Sequence, residues 1–227
     1  QTVADWDHDG LPDLIVNSIL GKVVWYRNIG TRRAPKLAVA APVEVEWRDA
    51  QPSLKWGWMR PEGKGLLTQW RTTPVAIDWN EDGLTDLIML DHEGYLAHFP
   101  RARCDGRVVL DAPQRIFETQ KSGYVRLNTR TAGGSGRRKL CVVDWDGDGA
   151  LDVLANSPNT ELWKNVGSRE GMTRLVNKGT LFERNISSHT TSPTVVDWNG
   201  DNRPDLLVGA EDGFLYYGRN PHTPEGR

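Results

Sequence analysis

The chain has 227 residues, with 28 Lys and Arg against 30 Asp and Glu and a formal net charge of -2, so it carries neither the basic excess of a nucleic-acid binder nor a long like-charge tail. No apolar run approaches the roughly 20 residues that a membrane-spanning helix needs, and two cysteines are too few for a disulfide framework. The length allows one sizeable core or two small ones.

From the N-terminus, a strand around Val3 runs into "DWDHDGLPDLIV", residues 5–16, where Asp5, Asp7, Asp9 and Asp13 surround a glycine before the sequence turns apolar. A turn then leads to a third strand, "GKVVWYRN". The same order returns as "DWNEDGLTDLIML" from Asp78, "DWDGDGALDVLA" from Asp144 and "DWNGDNRPDLLVG" from Asp197. These units open with "TPVAI", "KLCVV" and "SPTVV" and continue into "GYLAHF", "TELWKNV" and "GFLYYGRN". β-branched and aromatic residues fill the strands, while Gly, Asn, Asp and Pro fill the turns. A weaker fourth segment precedes each next unit, and no amphipathic helix of useful length is read. A recurring unit of this kind takes precedence over local readings. Four short antiparallel strands per unit, repeated radially, describe β-propeller blades. The expected fold is therefore all-β, a β-propeller of about four four-stranded blades over residues 1–221, with a polar tail at 222–227.

The ends shape a second expectation. The last unit supplies three strands before the polar tail, and the first begins directly in its first strand. Propellers close by pairing strands from the two termini, and neither terminus here has a spare one. The expectation is about four blades of a longer propeller, whose missing blades would be partners. A compact four-bladed ring is the alternative. Residue 1 is Gln, so the chain reads as processed or truncated, with targeting information lost.

The pattern Asp-x-Asp/Asn-x-Asp-Gly-x-x-Asp tracks the oxygen-rich part of an EF-hand loop. Candidate Ca²⁺ ligands are Asp5, Asp7, Asp9 and Asp13; Asp78, Asn80, Asp82 and Asp86; Asp144, Asp146, Asp148 and Asp152; and Asp197, Asn199, Asp201 and Asp205. The third loop has every carboxylate and two glycines. In the fourth, Asn202 replaces the glycine, a substitution that a left-handed backbone tolerates. The alternative is a metal-free turn in which Asp and Asn side chains cap backbone N–H groups. Repetition argues for structure and against catalysis at these aspartates, so chemistry is sought in what does not repeat.

The longest non-repeating stretch is "EWRDAQPSLKWGWMRPEGKGLLTQWRTTP", residues 46–74. Trp47, Trp56, Trp58 and Trp70 offer flat faces for sugar rings. Arg60 and Arg71 can grip a carboxylate with two hydrogen bonds, and Lys55 and Gln69 add polar groups. Trp56, Trp58, Arg60, Gln69, Trp70 and Arg71 are thus candidate binding residues for an acidic saccharide; the other reading is a tryptophan plug between blades. His92 in "LDHEGYL", with Glu93 beside it, and Arg184 and His189 in "FERNISSHTTSP" extend the candidate set. Arg130, Arg137 and Arg138 flank a Gly-Ser loop and are expected to be solvated. Cys141 reads as a buried hydrophobe, Cys104 as a turn residue, and nothing demands a disulfide between them.

The four acidic motifs resemble the FG-GAP/VCBS class of propeller repeats. The tryptophan after the first Asp, with "GKVVWYRNIGT", "LLTQWRTTP", "LDHEGYL" and "GAEDGFLYY", is similar to the propellers of glycoside hydrolase family 145 and to lyases acting on rhamnose-capped glucuronic acid. That resemblance implies a seven-bladed propeller of which this chain is a C-terminal portion, and an α-L-rhamnosidase-like hydrolase acting on a glycan that contains rhamnose and uronic acid, in a secreted or periplasmic setting. A polysaccharide lyase and a non-catalytic glycan- or protein-binding propeller are the alternatives. The family's catalytic histidine belongs to an N-terminal blade, so no catalytic residue is assigned.

Overall fold

Period-two patterning becomes strand throughout the described chain. The computed structural model describes residues 1–48, 51–52, 63–121, 123–128, 137–183, 185–186 and 190–221, and its regular elements are all β. In chain order they are β1 (Thr2–Ala4), β2 (Asp13–Asn17), β3 (Val23–Tyr26), β4 (Ala41–Pro42), β5 (Val45–Glu46), β6 (Val75–Ile77), β7 (Asp86–Leu90), β8 (Leu96–Phe99), β9 (Arg101–Cys104), β10 (Arg107–Asp111), β11 (Phe117–Thr119), β12 (Leu140–Val143), β13 (Asp152–Asn156), β14 (Thr160–Arg169), β15 (Met172–Thr180), β16 (Thr191–Val196), β17 (Asp205–Ala210) and β18 (Leu215–Gly218).

The chain divides into two compact units. Residues 1–116 with 126–137 form the first, and 117–125 with 138–227 form the second. The first unit holds the sheets β1-β2-β3-β4, β6-β7-β8 and β5-β10-β9; the second holds β11-β15-β14-β13-β12 and β16-β17-β18. Each acidic motif joins the first two strands of an antiparallel sheet, and its last aspartate opens the second strand, as Asp13, Asp86, Asp152 and Asp205 do. That second strand is buried along its whole length in β7 and β13, so both of its faces are covered.

The outer strands depart from the expected four per unit. The β1 sheet gains only the two-residue β4, and among the described residues the β6 and β16 sheets have three strands each. The outer edge of β8 carries a single bridge between His98 and Gln114. The cause is local: after Pro100 the chain enters the β9–β10 hairpin, whose Asp105 and Gly106 sit at φ 48 and 75. Positive φ at both central positions is the turn that matches strand twist. The third unit does the reverse, because Glu170 and Gly171 (φ 53 and 78) tie β14 to a nine-residue β15. β11 then adds to β15 in parallel.

Each unit has its own core. Trp6, Ile15, Leu66, Leu87, Met89 and Phe99 share one cluster, and Trp145, Leu154, Leu162, Leu206 and Val208 share another. Full burial of each such side chain contributes about 1.5–3 kcal/mol. In the first unit, chain segments also cross the turns between second and third strands. Thr68 N–H donates to Gly21 O at 3.0 Å, and Leu127 N–H to Gly94 O at 3.0 Å. Gly94 has φ 87, and a Cβ there would stand 2.2 Å from Asn128 O, so only glycine fits.

Candidate functional site: acidic loops and a tryptophan cleft

All four loops share one hydrogen-bond plan. The first aspartate accepts two or more backbone N–H groups from the far side of its own loop: Asp5 from Asp9 and Gly10, Asp78 from Asp82 and Gly83, Asp144 from Gly147, Asp148 and Gly149, and Asp197 from Gly200, Asp201 and Asn202. The third aspartate caps the residue two further on, as Asp148 Oδ1 does for Ala150 N–H at 2.9 Å. The last aspartate is buried and clamps the loop to the third strand or to the residues just after it. It accepts the N–H of Asn28, Arg101, Asn165 or Asn220 at 2.7–3.0 Å. In all four loops it also accepts the backbone N–H of the loop tryptophan. Glycine in the loop, or Asn202 at φ 62, allows the left-handed turn that aims these donors inward.

The second carboxylate position separates the loops. Where it is Asp, a basic side chain within the third strand or just after it reaches it. Arg27 bonds Asp7 at 2.6 Å and Asp9 at 2.9 Å, and Lys164 bonds Asp146 and, at 2.8 Å, Asp148. Burial alone pulls the Lys164 ammonium down, but the hydrogen bonds to Asp146 and Asp148 outweigh it and leave its pKa raised. Where the position is Asn, the loop relies less on a cation. Asn80 donates its amide N–H to Asp82 at 2.8 Å opposite Pro100, and Arg219 reaches Asp201 only at 3.5 Å. In the second loop, the buried His98 Nε2 lies 2.7 Å from Asp86 Oδ2.

Among the described residues, two places bring three carboxylates together, with one oxygen from each within 4.8 Å of the others: Asp5, Asp7 and Asp13, and Asp144, Asp146 and Asp152. In both, a buried oxygen, Asp7 Oδ1 or Asp146 Oδ1, has no hydrogen-bond partner. Burial pushes Asp7 above the usual carboxylate range, helped by Asp13 and opposed by Arg27. Burial likewise pushes Asp152 up to about 6, against the N–H groups of Asn165 and Trp145. Each trio keeps an orphaned oxygen and more negative charge than Arg27 or Lys164 balances, which fits a hard divalent cation that those two trios would hold. The loops built on Asn80 and Asn199 fit it less well, since their amides already supply donors or acceptors inside the turn.

Of the expected saccharide residues, Trp56, Trp58, Arg60, Arg184 and His189, with Lys55 and Arg130, lie outside the described residues. Gln69 is fully buried; its Oε1 accepts from Asn128 at 2.7 Å, and its backbone carbonyl accepts from Asn17 at 3.1 Å. That places Gln69 in the interior of the first unit. Trp70 and Arg71 are half-buried, with Trp70 O accepting the Arg137 N–H at 3.1 Å. His92 lies in the β7–β8 turn, half-buried, beside Glu93, which pairs with Arg115. Both cysteines are free, Cys104 exposed and Cys141 mostly buried.

Two clefts in the first unit bring together residues that the motifs do not. One, of about 340 Å³, is lined by Trp47, Pro52, Ala112 and Pro113, with Arg48, Asp111 and Gln114 at its edge. The Trp47 indole N–H is buried without a hydrogen-bond partner, and Arg48 pairs with Asp111 at 2.7 Å while remaining largely exposed. Trp47 belongs to the stretch singled out by its tryptophans; its cleft partners come from β10 and the segment after it, a pairing that no sequence spacing announces. The other cleft, about 460 Å³, contains Trp6, Trp25, Arg101 and Arg107 together with Asp7, Glu44 and Glu46. There the Arg101 guanidinium sits 4.0 Å over the Trp6 ring, covering the face that a sugar would use. Burial lowers Arg101 to about 10.

Comparison with known families finds an FG-GAP-like repeat over residues 144–208, which runs from the third acidic loop through the fourth into β17. No curated protein matches the chain.

Proposed function

We propose that this is a carbohydrate-binding β-propeller protein whose antiparallel sheets are blades, and that the Trp47 cleft is its saccharide platform. The observation that carries the reading is the cleft's make-up. An indole, two prolines and an alanine form an apolar floor, and a guanidinium, a carboxylate and an amide stand at the rim. Sugar rings lay their C–H faces on such a floor while rim groups take the hydroxyls. Arg48 is exposed enough to exchange its bond to Asp111 for the carboxylate of a uronic acid. A rhamnose-capped glucuronate oligosaccharide is the ligand class, met in a secreted or periplasmic setting. Ca²⁺ at the first and third loops would be structural. Hydrolytic release of rhamnose is the catalytic form of the same reading.

Titration calorimetry and tryptophan fluorescence with rhamnose-capped and uncapped glucuronate oligosaccharides test it. Wild type should bind the acidic oligosaccharide; Arg48→Ala and Gln114→Ala, both at exposed positions, should weaken binding about tenfold without shifting the melting temperature. Free rhamnose in the same incubation would identify a hydrolase, and unsaturated-uronate absorbance a lyase. Absence of heat and of fluorescence change with every saccharide would sink the reading.

A further inference from the structure

Arg101 carries more than its place in the repeat requires. It stands just after the third strand of the β6 sheet. Its backbone N–H bonds the closing aspartate, Asp86, at 2.7 Å, and its Nη1 donates to the Trp6 carbonyl. Asn220 holds the same place in the second unit. Its backbone N–H bonds Asp205 at 3.0 Å, and its side-chain amide donates to the Trp145 carbonyl at 2.7 Å. A neutral amide is therefore enough to make this lock. In Arg101 the lock takes one of the five N–H donors of a guanidinium, and the others are left over together with the positive charge.

That charge is buried without a touching counter-ion. Arg101 is 6% exposed, and its guanidinium lies 4.0 Å over the Trp6 ring. Among the described residues it makes no ion pair, and its side chain has no hydrogen bond besides the one to Trp6. Asp86 and Asp7 act on it only from a distance, and burial outweighs them. A buried cation is costly unless a counter-charge meets it with hydrogen bonds. Arg101 lines the cleft of about 460 Å³, and the other charges there do not cancel it. Asp7 is bonded by Arg27 at 2.6 Å, and Glu46 by Lys64 at 2.5 Å. Arg107 and Glu44 are exposed and have no ion pair among the described residues. Two unpaired cations thus stand against one unpaired carboxylate. The walls between them, Trp25, Val43, Val108 and Leu110, are apolar, and no hydroxyl or carboxamide side chain lines the cleft.

We propose that this cleft binds an organic monocarboxylate with an apolar, ring-sized body. The free edge of the Arg101 guanidinium takes the carboxylate with two parallel hydrogen bonds, and the ring lies against Trp25 and Val108. One carboxylate matches the one surplus charge. A heavily hydroxylated ring would leave its hydroxyls without partners, and a phosphate would bring more negative charge than Glu44 allows. Arg107 at the mouth draws the anion in, and Glu44 opposes it. The inference is independent of the saccharide reading, whose guanidinium, Arg48, belongs to the other cleft.

NMR titration of the full chain with sodium benzoate and sodium naphthoate tests it, with sodium glucuronate and inorganic phosphate titrated in parallel. At least one aromatic carboxylate should move the indole N–H resonances of Trp6 and Trp25 saturably. Arg101→Gln removes the charge and should weaken that binding at least about tenfold. Arg107→Ala and Glu44→Gln, both at exposed positions, decide the matter if Arg101→Gln fails to fold. The first should weaken binding about threefold and the second strengthen it about threefold, whereas an arginine with a purely structural role predicts no response to either. Arg48→Ala should leave the titration unchanged. The proposal would be overturned by the absence of a saturable shift with both aromatic carboxylates, by glucuronate or phosphate binding as tightly, by indifference to Glu44→Gln, or by loss of binding in Arg48→Ala.

Discussion

Lys164→Met isolates the role of the intrinsic cation in the third loop. The Lys164 ammonium bonds Asp146 and, at 2.8 Å, Asp148, with side-chain exposures of 21% for the lysine, 22% for Asp146 and 43% for Asp148. A hydrogen bond between charged groups contributes about 1.5–3 kcal/mol when shielded, and an exposed pair about 0.5 kcal/mol. The Asp146 contact therefore carries about 1.5 kcal/mol and the half-exposed Asp148 contact about 0.5 kcal/mol. Methionine keeps the apolar stem, so about 2 kcal/mol is the expected loss in chelator. That corresponds to about 4–8 °C in melting temperature for a chain of this size. Removal of the ammonium also frees an oxygen on each of Asp146 and Asp148 beside the orphaned Asp146 Oδ1. Added Ca²⁺ should then recover the loss, since a ligand at about 100 times its dissociation constant returns about 2.7 kcal/mol. Calorimetric scans of wild type and variant, in chelator and in millimolar Ca²⁺, provide the assay. An unchanged melting temperature in chelator would refute the lysine as the neutralising cation, and a loss that Ca²⁺ leaves untouched would refute the loop as a cation site.

The same geometry sets other expectations. Equilibrium dialysis should find two Ca²⁺ per chain, one fewer in Asp7→Asn and one fewer in Asp146→Asn, with Asp82→Asn unchanged. Gly94→Ala should cost about 3–4 kcal/mol in denaturant melts, because left-handed backbone costs alanine about 1 kcal/mol and the new Cβ displaces the bonds from Leu127 and Asn128 to Gly94 O, about 1 kcal/mol each. Gly83→Ala, at φ 82 with nothing within 4 Å of the new Cβ, should cost only about 1 kcal/mol. Burial pushes the Cys141 thiol up to about 11. A thiol reagent at mildly alkaline pH should therefore titrate the exposed Cys104 quickly and Cys141 only in denaturant. The raised folded value means that native Cys141 keeps its proton while the unfolded chain loses its own. Stability should thus fall by up to about 3 kcal/mol as pH rises between about 9 and 11, and Cys141→Ala should flatten that fall.

The first three strands of every repeat were legible because apolar alternation and Asp-rich turns are local signals. The segments beyond each third strand were not. Pro100 diverts the second repeat into the β9–β10 hairpin, while β15 reads as "MTRLVNKGT", half polar, and becomes a nine-residue strand only because β14 pairs with it. Gln69 shows the limit for the site. In sequence it stands beside Trp70 and Arg71, as a ligand contact would. In the fold the segment Leu66–Gln69 crosses the β2–β3 turn, so its polar side chain faces Asn128 and the interior. Gln114 shows the converse: it lies in no motif, yet its bridge to His98 holds it at the rim of the Trp47 cleft.

The acidic motif contained a finer distinction than its shared pattern shows. Asp7 and Asp146 occupy the second carboxylate position, and Arg27 and Lys164 stand one residue before the asparagine clamped by the loop's last aspartate. Asn80 has Pro100 at that place and Asn199 has Arg219, whose ion pair is the longest of the set. A carboxylate more in the loop thus goes with a closely bonded base on the third strand, and an amide with none or a distant one. Register explains the coupling, since the residue before the clamp is carried over the loop's open side whatever its identity. The third-strand base and the second loop position therefore form one electrostatic unit. Each of these two loops still keeps more carboxylates than its base can neutralise, and in the third Asp152 is pushed up to about 6. One base against four carboxylates leaves the same surplus of three that the second loop has with none, so what sets the first and third loops apart is geometry: each holds a close carboxylate trio with an orphaned oxygen.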